Sequence, residues 1–372
     1  MILRNKSVSD LLQYIKQSNR SVVLFGAGVI GTTVVPSLFQ EQEIMERILF
    51  YVDNDSTKHG ETIYWYEKEY TIYGIDSLDN VDIENTILII TNSQYEAIVK
   101  QLDKIECLEN LECYIMPIVL VSQERKKEKI TVVRESDIPL IPKILHYIWL
   151  GNNEMPQFLK DCIKTWSEYC PNYEICCWNE KNYNFFKHPY MKQAYEAGKW
   201  AYVSDYARLD ILCEYGGIYM DTDVYLVQNL DEFLYQKAFS SFEKWNVVNS
   251  GGCCGTIPQG EAIKKMLEFR KSYEFIKNNG DYNLIASGFY ETKSLIEHGL
   301  KLNGSLQKVL DMNIYPYDFF HPYDYMSGKL QKTENTHAIH CFNGGWLEEK
   351  MIIQREGTRN TYLNILQRME RG

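Results

Sequence analysis

The sequence predicts an α/β protein in two parts, and two observations carry that prediction. In the first third, three short β-branched, apolar runs, SVVLF (21–25), ILFYV (48–52) and ILIIT (87–91), alternate with stretches of helical period, the pattern of a parallel sheet. Beyond residue 200 a helix leads through a double glycine into a short strand ending on two closely spaced aspartates, AYVSDYARLDILCEYGGIYMDTDVY. A chain of 372 residues has room for two such cores.

Residues 1 to about 20 read as an amphipathic helix with Leu11, Leu12 and Ile15 on its apolar face. The strand SVVLF then enters Gly26-Ala27-Gly28-Val29-Ile30-Gly31, the strand-to-helix setting in which a G-x-G-x-x-G pattern cradles a phosphate. The strand ILFYV ends at Asp53, about 20 residues past the last glycine, where a dinucleotide site places its ribose-binding acid. Gly26, Gly28, Gly31 and Asp53 are therefore candidate nucleotide-binding residues. Pro36 falls inside the helix that follows and tends to kink it. The domain also ends near residue 120, leaving room for one mononucleotide-binding half. Three roles stay open for it: structural or docking, binding of a nucleotide or sugar, and redox chemistry. The boundaries are a Rossmann-like domain over 1–120, a linker over 121–138 that contains the basic run Arg125-Lys126-Lys127 with Lys129, and a larger domain over 139–372.

The second domain opens with a strand in IPKILHYIWLG, where Ile144, Tyr147 and Ile148 are core candidates and His146 and Trp149 close the strand. A helix, a turn at Pro171-Asn172 and another strand follow. From Ala201 a helix puts Tyr202, Tyr206, Leu209 and Cys213 on a buried stripe, with Asp205 and Arg208, three apart, on the neighbouring face. Gly216 and Gly217 stop it. Period-two alternation in IYMDTDV would set Tyr219, Asp221 and Asp223 on one side of a strand. Paired carboxylates there need a positive partner, and oxygen ligands suit Mg²⁺ or Mn²⁺. Asp53-Asn54-Asp55 repeats the Asp-x-Asp spacing without that context. NLDEFL reads as a turn and short helix, and 261–277 as a helix.

Ser204, Asp205, Arg208, Gly216, Gly217, Tyr219, Asp221 and Asp223 match the S-D-x-x-R and G-G-x-Y-x-D-x-D pattern of glycosyltransferase family 32, which this chain resembles together with the related sugar-transferring toxins. Pro142, Lys143, Ile144, His146, Ile148, Trp149 and Gly151 resemble the family's P-K-x-I-H-x-I-W-x-G opening. The resemblance implies a GT-A-type domain that transfers a sugar with retention of configuration. It implies that Trp149 stacks on the donor base, that Asp205 hydrogen-bonds the sugar hydroxyls and that Arg208 reaches the sugar or diphosphate. Asp221 and Asp223 would hold the ion, with Tyr219 on the donor side. Asn249, in VVNSGG, would contact donor or acceptor, a turn asparagine being the alternative. His340 would complete the metal shell or touch the diphosphate, and Trp346 would close over the leaving group. The sequence departs from the family at Cys341 and Gly345, where histidine and serine are common, and in SGFYETKSLIEHG, where only Gly288 and Thr292 echo the relatives. FYVDNDSTKHG with IYGIDSL resembles the nucleotide-sugar-pocket domains of some sugar acyltransferases.

A net charge of −11 argues against a nucleic-acid partner. The ten cysteines show neither Cys-x-x-Cys pairs nor dense extracellular spacing and read as buried free thiols. MILRNKSVSD carries no signal segment and no apolar run suggests a membrane span, so a cytoplasmic protein is expected, at the inner face of the plasma membrane if its acceptor is lipid-linked. The expected activity is metal-dependent transfer of a hexose or N-acetylhexosamine from a nucleotide sugar, UDP-linked by preference, to a glycan or lipid-linked glycan in capsular or surface polysaccharide synthesis. The rivals are a toxin-like transferase that modifies a protein, a nucleotide-sensing protein working through the first domain, and an oxidoreductase led by Gly26, Gly28 and Gly31.

Overall fold

The computed structural model describes residues 1–121, 128–151, 153–277, 280–325, 327–342, 359–360 and 362–370. The chain divides into two compact units, Met1–Lys126 with Ile353–Gly372, and Lys127–Ile352.

The first unit is built on β1 (Ile2–Arg4), α1 (Val8–Ser18), β2 (Ser21–Phe25), β3 (Ile48–Val52), β4 (Thr62–Trp65), β5 (Lys68–Tyr73), β6 (Thr86–Ile90), α2 (Tyr95–Leu102) and β7 (Glu112–Ile115). Its sheet runs β1-β7-β6-β2-β3-β5-β4, parallel except for the β4–β5 hairpin. Val22–Phe25 and Ile87–Ile90 are buried, as the central strands of a sheet covered on both faces must be. Strand order reverses about β2, so the glycine loop sits at the switch point.

The opening residues depart from a single helix. Ile2–Arg4 pair with Glu112–Tyr114 as an edge strand, and the helix starts only after Ser7, whose hydroxyl caps the Asp10 amide at 3.1 Å. The consequence of Pro36 is also visible. Ile30–Val34 form a π-helical turn that continues into Val35–Leu38. Proline has no N–H to give, and the Gly31 carbonyl five residues before it accepts instead from the Tyr51 hydroxyl at 2.6 Å.

Residues 362–370 are helical and belong to this first unit, whereas sequence reading carried the second domain to 372. The reason is apolar: Tyr362, Ile365 and Met369 are buried, and Arg368 forks onto Asp103 at 2.5 and 2.6 Å.

The second unit contains β8 (Ile144–Ile148), α3 (Gln157–Tyr169), β9 (Glu174–Trp178), α4 (Pro189–Glu196), α5 (Trp200–Tyr215), β10 (Gly217–Tyr219), β11 (Val224–Leu226), β12 (Ala238–Ser241), β13 (Cys254–Thr256), α6 (Glu261–Lys271), α7 (Ser287–Ile296), β14 (Gln307–Val309), β15 (Met312–Tyr315), β16 (Tyr323–Asp324), β17 (Lys329–Leu330) and β18 (Ala338–His340). Seven strands form a mixed sheet, β14-β15-β12-β13-β10-β8-β9, while β11 pairs with β18 and β16 with β17 in two-stranded ladders. Trp166, Ile218, Met220, Phe233, Phe239 and Phe320 lie in its core cluster. The end of the expected linker joins this core: Val132 is buried, the Val133 amide donates to the Tyr315 hydroxyl at 3.0 Å, and the Ile130 amide to Asn335 at 2.8 Å. Of the basic run, Arg125, Lys126 and Lys127 lie outside the described residues. All ten cysteines are free thiols.

Candidate active site

Sequence places Asp205 and Arg208 three apart on α5, and the helix turns both inward. The guanidinium Nη2 donates to Asp205 Oδ1 at 2.6 Å and lies 3.3 Å from Asp221 Oδ1. Burial opposes the charge on Arg208, but Asp221 and Asp205 outweigh it, raising its pKa and keeping it ionised. Burial pushes the Asp205 carboxyl upward against the pull of Arg208 and Arg270. Arg208 also stacks over the Tyr219 ring, 5.1 Å from its centroid, and the Tyr219 hydroxyl donates to Asp221 Oδ1 at 2.9 Å.

The aspartates do not ride on one strand as the alternation suggested. Ladder pairing of β10 ends at Tyr219, and Asp221 and Asp223 lie in the turn before β11. The turn closes because the Asp221 amide is drawn to the Gly251 carbonyl at 2.8 Å while its own carbonyl accepts from the Val224 amide at 3.1 Å. Gly251 has to be glycine for this geometry. A Cβ there would meet Asp221 Oδ2 at 2.2 Å, Arg208 Nη1 at 2.7 Å and Asn249 Oδ1 at 3.1 Å.

His340 arrives from far along the chain through the β11–β18 ladder, which sets Val224 opposite His340. Its Nε2 is 3.4 Å from Asp223 Oδ1 and 3.9 Å from Asp221 Oδ2. Asp221, Asp223 and His340 each turn one ligand atom into a space where all lie within 4.8 Å of one another. Two carboxylates and an imidazole fit a Mn²⁺- or Mg²⁺-type ion that keeps open positions. Burial works against the imidazolium, but Asp223 and then Asp221 outweigh it and raise the His340 pKa.

The loop beneath is held from α7. The Val248 amide donates to Thr292 Oγ1 at 2.8 Å, and Ser250 donates to Glu291 through its amide at 2.8 Å and its hydroxyl at 2.6 Å. A Cβ at Gly288 would stand 2.9 Å from the Val248 carbonyl, so Gly288 and Thr292, the two echoes of the relatives in this segment, are both loop contacts. Glu291 was not singled out by sequence, although a glutamate between buried Tyr290 and Thr292 was the available signal. Burial pushes its carboxyl up to about 7. His321 was missed as well. It bonds Ser241 Oγ through Nδ1 at 2.9 Å, leaves Nε2 without a hydrogen bond among the described residues, and is kept neutral chiefly by burial.

Asn249 is less free than a substrate-reading residue would be: Oδ1 accepts from the Gly251 amide at 2.8 Å and Nδ2 donates to Glu243 at 3.0 Å. Trp149 follows β8 on the sheet edge that also delivers Asp221, half-buried, with its indole N–H on the Asn153 carbonyl at 3.1 Å. His146 is structural, bridging the Trp178 indole and the Gly216 carbonyl. Trp346 lies outside the described residues.

In the first unit, Gly26 sits at φ +124° and a Cβ on Gly31 would meet the Gly26 carbonyl oxygen at 2.0 Å, while nothing lies within 4 Å of one on Gly28. The Asp53 carboxylate is already engaged, accepting from the Ala27 amide at 2.7 Å and the Asp55 amide at 2.9 Å with Lys58 Nζ at 3.3 Å. The glycine loop and Asp53 are thus joined through the Ala27 amide.

Residues 156–240, running from the start of α3 into β12, match the family described as the glycosyltransferase sugar-binding region containing a DXD motif. The chain is 32% identical over 103 residues to inositol phosphoceramide mannosyltransferase 3 of Schizosaccharomyces pombe, a stretch covering 27% of this chain and 29% of the relative. It is 29% identical over 140 residues to the mannosyl phosphorylinositol ceramide synthase of Saccharomyces cerevisiae, covering 36% of each. The chain therefore spans about a third of the length of these curated relatives. A solved PaToxG glycosyltransferase covers 55% of this chain and 80% of its own at 16% identity and a TM-score of 0.35. A glycosyltransferase involved in glycosylation of the major capsid of PBCV-1 covers 58% and 98% at 11% identity and a TM-score of 0.33.

Proposed function

We propose, from the premise that residues 156–240 form the sugar-binding region of a DXD-type glycosyltransferase, that this protein transfers a hexose from a nucleotide sugar to a hydroxyl with the help of a divalent ion. The observation that carries the reading is the convergence of Asp221, Asp223 and His340, with Arg208 against the same carboxylate.

Loss of a nucleoside diphosphate needs positive charge where negative charge develops more than it needs a strong base. A bound ion would supply part of that charge at Asp221, Asp223 and His340. Arg208, ionised and fixed by Asp205, supplies a second cation whose fork suits phosphate or sugar oxygens. Tyr219 steadies Asp221, and Trp149 offers an aromatic face on the same sheet edge for the base.

One relative is named a mannosyltransferase and the other a mannosyl phosphorylinositol ceramide synthase, which supports a hexose and makes mannose the first sugar to try. Their names refer to inositol phosphoceramide, so a lipid acceptor stands beside a capsular or surface glycan. No helix among the described residues is long and apolar enough to cross a membrane. A UDP-linked donor and a cytoplasmic location remain part of the proposal.

The test is release of nucleoside diphosphate from a panel of UDP- and GDP-linked sugars, with and without Mn²⁺, for wild type and Asp223→Ala. Metal-dependent release from one donor, lost in the variant, supports the reading. Absence of turnover together with absence of calorimetric binding of UDP and GDP refutes it.

A further inference from the structure

The transferase reading leaves the incoming hydroxyl without a partner, and the structure offers one that neither the sequence pattern nor the matched region 156–240 includes. Glu243 begins a tight hairpin closed by its own amide on the Val247 carbonyl at 2.8 Å and by a bridge between Phe242 and Val248. Asn246, at φ 58°, makes the turn and is tied by its side chain to the Leu302 carbonyl at 3.0 Å. The hairpin therefore fixes the backbone at Glu243, and Asn249 Nδ2 holds its carboxylate at 3.0 Å.

A chain of hydrogen bonds joins it to the metal-binding turn: Glu243 Oε2 accepts from Asn249 Nδ2, Asn249 Oδ1 from the Gly251 amide, and the Gly251 carbonyl from the Asp221 amide. Glu243 also acts electrostatically on His340. Its second oxygen takes no hydrogen bond from the described residues, and the side chain is half-buried, so a ligand can reach it.

The charge around Glu243 decides what kind of ligand that is. Lys244, the neighbouring cation, is turned to Asp324 at 3.1 Å and lies over the Tyr325 ring at 3.0 Å from the centroid. A carboxylate with no cation paired to it among the described residues repels a diphosphate and suits a neutral hydroxyl donor. Against His340, Phe342 stacks at 4.0 Å and packs in turn on Tyr325 with ring centroids 5.2 Å apart, so half-buried aromatic rings flank the ion site. Aromatic surface next to an acceptor-only oxygen is the combination that holds a sugar or polyol by its C–H face and one O–H.

We infer that Glu243 is the acceptor-binding carboxylate, its free oxygen taking the hydrogen of the incoming sugar or polyol hydroxyl, with Tyr325 and Phe342 as the ring wall of that subsite. This inference rests on the transferase reading. Glu243→Gln tests it with little change of shape. Because Asn249 Nδ2 must still be accepted, the glutamine carbonyl stays where Oε2 was and an amide N–H₂ replaces the oxygen facing the hydroxyl, reversing its polarity.

Water is the smallest hydroxyl acceptor, so donor hydrolysis reads the subsite whatever the natural acceptor is. For the donor and metal found in the panel, Glu243→Gln is expected to lower hydrolytic kcat by about tenfold or more, with KM for the donor and Kd for the nucleoside diphosphate kept within about twofold. Glu243→Asp, which keeps an acceptor oxygen, recovers part of the loss. An unchanged kcat overturns the inference, and so does a fall in nucleotide affinity that accounts for the whole effect, because either places Glu243 away from the acceptor. Failure of the wild type to bind any nucleotide or turn over any donor is a different result and strikes the transferase reading itself.

Discussion

Gly251→Ala is the sharpest perturbation the site offers. Gly251 does not use the left-handed backbone region, so alanine there brings no backbone strain and its effect is steric. The added carbon would stand 2.2 Å from Asp221 Oδ2 and 2.7 Å from Arg208 Nη1, where ordinary contact begins near 3.4 Å. More than an ångström must be found in a carboxylate already held by Tyr219 and Arg208. Overpacking of this kind costs about 1–3 kcal/mol. A displacement of about 1 Å in a group that positions charge costs turnover roughly a hundredfold. The assay is metal-dependent release of nucleoside diphosphate, run beside a Mn²⁺ titration and a thermal melt. The expected result is a drop of about two orders of magnitude in kcat and weaker Mn²⁺ binding, with the melt shifted by only a few degrees. Turnover and Mn²⁺ affinity both within about threefold of wild type would refute the argument that Asp221 is fixed by the empty space at Gly251.

Further outcomes follow from the same geometry. Asp223→Ala and His340→Ala should each weaken Mn²⁺ binding by about tenfold or more in calorimetry, since each removes one of three converging ligand atoms. Arg208→Lys keeps the charge but loses the planar guanidinium whose Nη2 meets both Asp205 and Asp221, and kcat measured at saturating donor should fall by about tenfold or more. Glu291 is pushed up to about 7 by burial, above its ordinary value of 4.5. Its folded form holds a proton more tightly than its unfolded form, so its contribution is fully present below about pH 4.5 and is lost as pH rises through about 7. Glu291→Gln should remove that downward slope between about pH 4.5 and 7 in urea unfolding, by an amount on the order of 3 kcal/mol. In the first unit, Ile365→Ala should lower stability by about 2–4 kcal/mol, read as an earlier transition of that unit in denaturant.

The site residues read from sequence were those whose spacing is local. Asp205 and Arg208 are one helical turn apart, so helical periodicity brings them together, and the double glycine has to end that helix. Asp221 and Asp223 are close in sequence, but it is a turn and not strand alternation that sets them side by side. The runs Val22–Phe25 and Ile87–Ile90 were legible because a strand covered on both faces must be apolar along its whole length. Resemblance extended this to His340, whose place opposite Val224 depends on a ladder between distant segments. What no local pattern contains is decided by packing. The strand stops at Tyr219, and the aspartates turn toward Gly251 because that carbonyl is where the Asp221 amide finds its partner. Glu243 and Glu291 reach the site from a hairpin and a helix whose own periodicity marks neither as special, and the closing helix of 362–370 finds its apolar partners in the first unit. Sequence alone determined which side chains could carry the chemistry. The tertiary structure decided which of them share a space, because the hydrogen bonds and apolar contacts that set those distances join residues far apart in the chain.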